Sequence, residues 1–170
     1  METFADFQLG ETDQLVQVAT SAEVADASLA LMRQARRKVD IVTRHLDPLL
    51  YDLTAFHEAT REFCQRSSRQ RLRIVILDPA PLVTRGHRLL ELAYAKSSFV
   101  SLRVPGVEHE RFNEAFFIAD ETGYLWRKLS DRFDAEVNFH GRMRARELTD
   151  LFNQIWDKGD PDPNLRKLNI

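Results

Sequence analysis

Residues 71–78, Arg-Leu-Arg-Ile-Val-Ile-Leu-Asp, form a near-continuous apolar, β-branched run that Pro79 and Pro81 break off. A strand with no polar face must be covered on both sides, which points to a parallel or mixed sheet sandwiched by helices. This run is expected to be the central strand. Residues 15–20, 38–45 and 99–106 read as further strands, the second ending before Asp47-Pro48. A helix is expected after Ser21, a good N-cap with Glu23 in the first turn; Val24, Ala27, Ser28, Leu31, Met32 and Ala35 recur on its inner face. A second helix over 51–66 would bury Leu53, Phe56, Thr60, Phe63 and Cys64, and a third over 82–96 would bury Gly86, Leu89, Leu90, Ala93 and Tyr94. From residue 114 strands follow one another directly, over 114–120, 124–129 and 135–140, with a turn at Glu121-Thr122-Gly123. A last helix over 142–157 carries Leu148, Leu151, Phe152, Ile155 and Trp156 at amphipathic spacing. The expected class is α/β: a mixed, mostly parallel sheet with helices on both faces.

A chain of 170 residues suffices for one domain with a full-sized core. Residues 1–14 read as a flexible leader, 15–158 as the single domain and 159–170 as a loose tail. Cys64 is the only cysteine, which excludes an intramolecular disulfide, a CxxC redox motif and a thiolate zinc site, and fits a reducing compartment. No run approaches the roughly 20 apolar residues of a membrane span, and the acidic N-terminus lacks a signal-peptide pattern. The expectation is a cytoplasmic protein with no membrane partner. The 24 Lys and Arg against 26 Asp and Glu give a net charge of -2, which argues against nucleic-acid binding by the molecule as a whole. Only the arginine clusters within 33–37, 69–73 and 142–146 leave that class open.

Ligands of open α/β sheets sit at the carboxyl ends of the strands. Arg44 and His45 end one predicted strand, Asp78 ends the next, and Arg85 and His87 open the helix after it. Converging on one rim, these five would offer bidentate donors to a phosphate or carboxylate. The structural alternatives are that Asp78 caps a helix, His87 borders the buried face, and the arginines pair with carboxylates. Arg127 and Lys128 follow Trp126 and either bind an anion or fill the space a substrate would need. Glu136, Asn138 and His140 share one face of a strand, as an acid-base pair or as a solvated edge; two ligands of no signature spacing do not make a metal site. No cofactor and no metal is expected. Arg142, Arg144 and Arg146 open the last helix against its dipole, so either an acidic partner surface or bound phosphate offsets them or, the favoured reading, salt bridges to Glu136, Glu147 or Asp150 do.

The order of elements over 20–157, ending in a hairpin and a helix with Phe152 and Trp156, resembles one half-domain of the phospholipase D superfamily. Asp120 matches the aspartate of that family's HxKxxxxD motif, and Asp134-Ala135-Glu136 stands where its Asn-x-Glu pair would be. Counting back from Asp120 puts Asn113 at the histidine and Ala115 at the lysine, while the family's Gly-Ser-x-Asn segment falls near Arg127, Lys128 and Ser130. In the family that histidine attacks phosphorus and the lysine holds the phosphoryl oxygens. An amide and a methyl group do neither. The resemblance therefore implies a degenerate domain that keeps the fold without the chemistry. It implies a binding or regulatory module for an anionic small molecule or a protein partner, with a retained homodimer face. The alternatives are a hydrolase rebuilt on His45, His87, His109 or His140, and a nucleic-acid module using the arginine clusters. His109-Glu110-Arg111 lies four residues before the expected motif, a displacement of about 13 Å along a strand, and reads as a solvated loop.

Overall fold

The computed structural model describes residues 4–167; the ends of the expected leader and tail lie outside these. Seven strands form one sheet in the order β1-β7-β6-β5-β2-β3-β4. They are β1 (Val16–Val18), β2 (Lys38–Thr43), β3 (Arg71–Ile76), β4 (Val100–Arg103), β5 (Ala115–Ala119), β6 (Gly123–Arg127) and β7 (Ala135–Asn138). Only the β2–β3 and β3–β4 pairs are parallel; the other four pairings are antiparallel. The mixed sheet is as expected, but mostly antiparallel rather than mostly parallel, because the direct strand successions of the last third pair as hairpins. The 71–78 run becomes β3, sixth of seven, and β5 holds the centre. An all-apolar strand reports cover on both faces, not its rank in the sheet.

Helices lie on both faces, named in chain order: α1 (Ser21–Gln34), α2 (Pro48–Tyr51), α3 (Thr54–Gln65), α4 (Ala80–Arg85), α5 (Arg88–Ala95), α6 (Arg142–Lys158) and α7 (Pro163–Lys167). One layer packs Leu31, Phe56, Phe63 and Leu89 against Ile41, Ile74, Phe117 and Leu125. The other is α6 alone, which sets Ala145, Leu148, Phe152, Ile155 and Trp156 on Val42, Val75, Phe116 and Ile118. Full burial of a side chain such as Phe152 contributes about 2–3 kcal/mol.

Local differences from the expected elements have local causes. The N-cap of α1 is Thr20, whose hydroxyl accepts from the Glu23 N–H while Glu23 reaches back to the Thr20 N–H, a capping box one residue before Ser21. The helix expected over 51–66 is two, and Leu53 is exposed as the N-cap of α3. The helix over 82–96 also splits, at Gly86, whose φ of 70° suits glycine; Gly86 is exposed rather than buried. The leader packs down through Phe4, stacked on Phe139, and Asp160 pairs with Val104 so that α7 buries Leu165. Short segments without a periodic pattern escaped the expectation.

Candidate functional site

β2 ends where antiparallel β5 begins, so Arg44 and Asn113 meet at the carboxyl end of the parallel strands. Arg44 Nη2 donates to Asn113 Oδ1 at 2.7 Å and Arg44 Nε to Ser130 Oγ at 3.0 Å; the Ser130 hydroxyl also donates to Asn113 Oδ1. The Ser130 N–H donates to the Asn113 carbonyl at 2.7 Å. Asn113 therefore stands in a closed triangle with a guanidinium and a hydroxyl.

Beside it lies Arg127, only 2% exposed. All three of its nitrogens donate: Nη1 to Asp47 Oδ2 at 2.7 Å, Nη2 to the Ser130 carbonyl at 3.0 Å and Nε to the Arg132 carbonyl at 2.6 Å. Its guanidinium also lies 5.1 Å from the Phe133 ring centroid. Ala115 is paired directly opposite Arg127, and cross-strand partners share a face. The long side chain thus extends beside the Ala115 methyl group, where the resemblance expects a lysine. Of the two readings of Arg127, filling a substrate's space is the one its partners support. Lys128, next along, is exposed with no side-chain partner among the described residues.

The five strand-end residues do not form one rim. His45 and Asp78 do meet: His45 Nδ1 is 3.0 Å from the Asp78 carbonyl and 3.6 Å from its carboxylate, while Asp78 also caps Ala80. Arg44 turns to Asn113 instead. His87 is buried as the N-cap of α5: Nδ1 accepts from the Leu89 N–H and Nε2 donates to the Leu46 carbonyl, each at 3.0 Å. Burial holds its pKa below the usual histidine value, against the opposing pull of the Asp52 carboxylate. Arg85 is exposed and bonds to nothing among the described residues. Leu46, between His45 and Asp47, is a buried leucine at φ 58°, a strained conformation held by the Thr43 hydroxyl and by His87. Asp47 was read only as a strand stop, and a lone Asp-Pro carries no signal that a buried arginine 80 residues later will find it.

The other residues that the resemblance singles out are engaged in structure. Asp120, at φ 52°, accepts from the Arg36, Arg37 and Lys38 N–H groups at 2.8–3.0 Å, tying the end of β5 to the start of β2. Glu136 accepts from the Tyr124 hydroxyl at 2.7 Å, and burial, first, with that carboxylate pushes the Tyr124 pKa up. Asn138 bonds Asp13 and His140 bonds Thr122, so the polar face of β7 does not gather into an acid-base pair. His109 sits in a 3-10 turn over Val107–His109. Among the described residues no group of three or more His, Cys, Asp or Glu is spaced to hold a metal ion, and no helix is long and apolar enough to cross a membrane. Of the arginines opening α6, Arg144 pairs with Glu147 at 3.1 Å as expected, and lies 4.8 Å from the Trp126 ring centroid; Arg142 and Arg146 have no such partner among the described residues.

The model of a family described as a domain of unknown function, DUF7931, matches residues 20–168. The chain belongs to the DUF7931 family. No curated protein matches it. Solved structures similar to this family member include NucT from Helicobacter pylori, at 7% identity and TM-score 0.62 over 88% of this chain and 99% of that one. Nuc from Salmonella typhimurium, a phospholipase D family member, matches at 14% identity and TM-score 0.59 over 86% of this chain and 95% of its own. TrmBL2, an archaeal chromatin protein described for a novel mode of DNA binding, matches at 14% identity and TM-score 0.61 over 87% of this chain; the match spans 54% of TrmBL2. The DUF7931 fold is phospholipase D-like, as the order of elements implied. None of its five histidines has a lysine two positions on, so HxK occurs nowhere in the sequence.

Proposed function

We propose that this chain is a non-catalytic phospholipase D-like domain that serves as a binding or regulatory module for an anionic ligand or a protein partner, working in the cytoplasm as a homodimer. The observation that carries the reading is Asn113 at the family's histidine position, held by Arg44 and Ser130. Its amide has no basic lone pair to attack phosphorus. At the lysine position Ala115 offers no charge, and the cation opposite it, Arg127, already gives its donors to Asp47 and two carbonyls. A phosphoryl group placed there would have to displace those bonds.

The test is hydrolysis of a generic phosphodiester by the purified chain, with and without chelator. Wild type is expected to match the buffer blank under both conditions. A variant carrying Asn113→His, Ala115→Lys and Arg127→Gly removes the guanidinium that an introduced lysine would face, and turnover appearing only there supports the reading. Turnover by wild type overturns it.

One observation favours a second reading. With Nδ1 on the Asp78 carbonyl, His45 has its Nε2 unpartnered among the described residues, the arrangement of an oriented base. Wild-type turnover that disappears in His45→Gln would make this chain a rebuilt hydrolase.

A further inference from the structure

The three arginine clusters that lie far apart in sequence converge at the other end of the sheet, about 17 Å from Arg44 and Asn113 along the six residues of β2. Arg37, Lys38, Arg69, Arg71 and Arg73 line one cleft of about 400 Å³ with Asp120 and Glu121. Arg37, Asp120 and Glu121 also line the next cleft, of about 560 Å³, together with His140, Arg142 and Arg146. Arg33, Arg36 and Arg66 line a third, of about 900 Å³, again with Asp120. The three therefore form one continuous face. Ten of the chain's 24 cationic side chains lie there against four of its 26 acidic ones, so the net charge of -2 conceals a basic end and an acidic remainder.

Of the four acidic groups on that face, Asp120 and Glu121 are already committed, while Glu11 and Asp150 line its outer clefts. Asp120 holds three backbone N–H groups, and Glu121 pairs with Lys38 at 3.0 Å. Asp40, buried behind the face, takes Arg73 in a bidentate pair at 2.8 and 3.0 Å. By contrast Arg33, Arg36, Arg37, Arg69, Arg142 and Arg146 are exposed and make no side-chain hydrogen bond or ion pair among the described residues. Six like charges left unpaired on one side of a near-neutral protein repel one another, and an external anion removes that repulsion.

We infer that this basic face binds the phosphate backbone of a duplex nucleic acid without reading its sequence. Breadth favours a polyanion over a small ion, because the free guanidinium groups are spread over three clefts rather than converging on one atom. Nine of the ten cations are arginines, whose planar fork matches phosphate oxygens in pairs. A protein partner would need an apolar centre to the interface, yet none of the exposed large hydrophobic side chains described lines these clefts. Single strands bind through stacking on exposed aromatic rings, and no Phe, Tyr or Trp lines them either. This inference gives the proposed binding module its partner but does not require the family position to be inert. Hydrolysis tests that position, and binding tests this face.

The experiment is fluorescence anisotropy of a labelled mixed-sequence duplex, as DNA and as RNA, titrated with the full chain between about 50 and 200 mM salt. Binding is expected to weaken with salt at a log–log slope of about -3 to -5, from about -0.9 per phosphate neutralised. The variant Arg36→Ala/Arg69→Ala/Arg146→Ala, its fold checked by circular dichroism, should bind at least tenfold more weakly at the lowest salt. Its slope should be shallower by about 2–3, one unit per lost contact. Arg61→Ala/Lys96→Ala, away from the clefts, should bind like wild type. The inference is overturned by no binding at the lowest salt, by binding that the triple variant leaves unchanged, by single strands binding more tightly than duplex, or by an acidic peptide binding where the duplex does not.

Discussion

A guanidinium in a protein interior is tolerated only when its N–H groups are satisfied and its charge is balanced, because removing either leaves an uncompensated buried group. Arg127 meets both conditions through Asp47, two carbonyls and the Phe133 ring. Arg127→Met keeps much of the volume but strands the Asp47 carboxylate, and should destabilise the fold by about 3–5 kcal/mol in denaturant titrations. Ala115→Lys places a second cation opposite the first and should destabilise comparably, with Arg127→Gly in the same chain recovering part of the loss. These outcomes separate a space-filling role from an anion-binding one, since a ligand-binding arginine stabilises only when ligand is present. The places of Asn113 and Ala115 come from the family resemblance, by counting back from Asp120. Their surroundings were not legible, because Asp47 reaches Arg127 only through the closure of the sheet, and no local pattern encodes a contact across 80 residues.

At the scale of elements, the caps decide where helices begin, and one cap titrates. His87 must be neutral at Nδ1 to accept the Leu89 N–H, and its folded pKa lies below the unfolded value of about 6.5. The unfolded chain therefore binds more protons just below that pH. Stability contributed by the neutral ring is full above about pH 6.5 and is lost as pH falls toward the lower folded pKa. His87→Asn, which can still cap, should flatten that part of the stability–pH curve, whereas His87→Ala should flatten it and also remove about 1 kcal/mol of capping. At the opposite end, Asp120 ties the β5–β6 hairpin to β2 through three N–H groups; Asp120→Asn should cost less than Asp120→Ala in thermal unfolding, since an amide keeps an acceptor and tolerates φ 52°. The strands and both long amphipathic helices were readable from period and burial, as were the inner faces of α1 and α6. The breaks at residues 52–53 and at Gly86 were not, because Asp52 and His87 provide their reasons only after the two segments have met.

At the scale of the whole molecule, the parallel strands separate two ends of different character. The end that a phospholipase D-like fold would use for chemistry is satisfied internally, while the far end carries six unpaired arginines and ten cationic side chains against four acidic ones. Net charge, read from the sequence, pointed away from nucleic acid because it averages over both ends; only the fold shows that residues 33–37, 69–73 and 142–146 share one side. A polyanion that binds this face should also raise the unfolding temperature. A bound duplex at 100 times its dissociation constant adds about 2.7 kcal/mol, or roughly 5–10 °C for a chain of this size, and the triple arginine variant should show little of that gain. The most direct measurement reads both ends at once: nuclear magnetic resonance of backbone amides and arginine Nε–H groups while a short duplex is titrated into the full chain. The account predicts shifts confined to the face around Arg37, Arg69 and Arg146, with the Nε–H groups of Arg44 and Arg127 unmoved at saturation. Saturable shifts at Arg44, Asn113 and Arg127 with the other end unchanged would contradict it, and would return the working site to the place the family fold assigns.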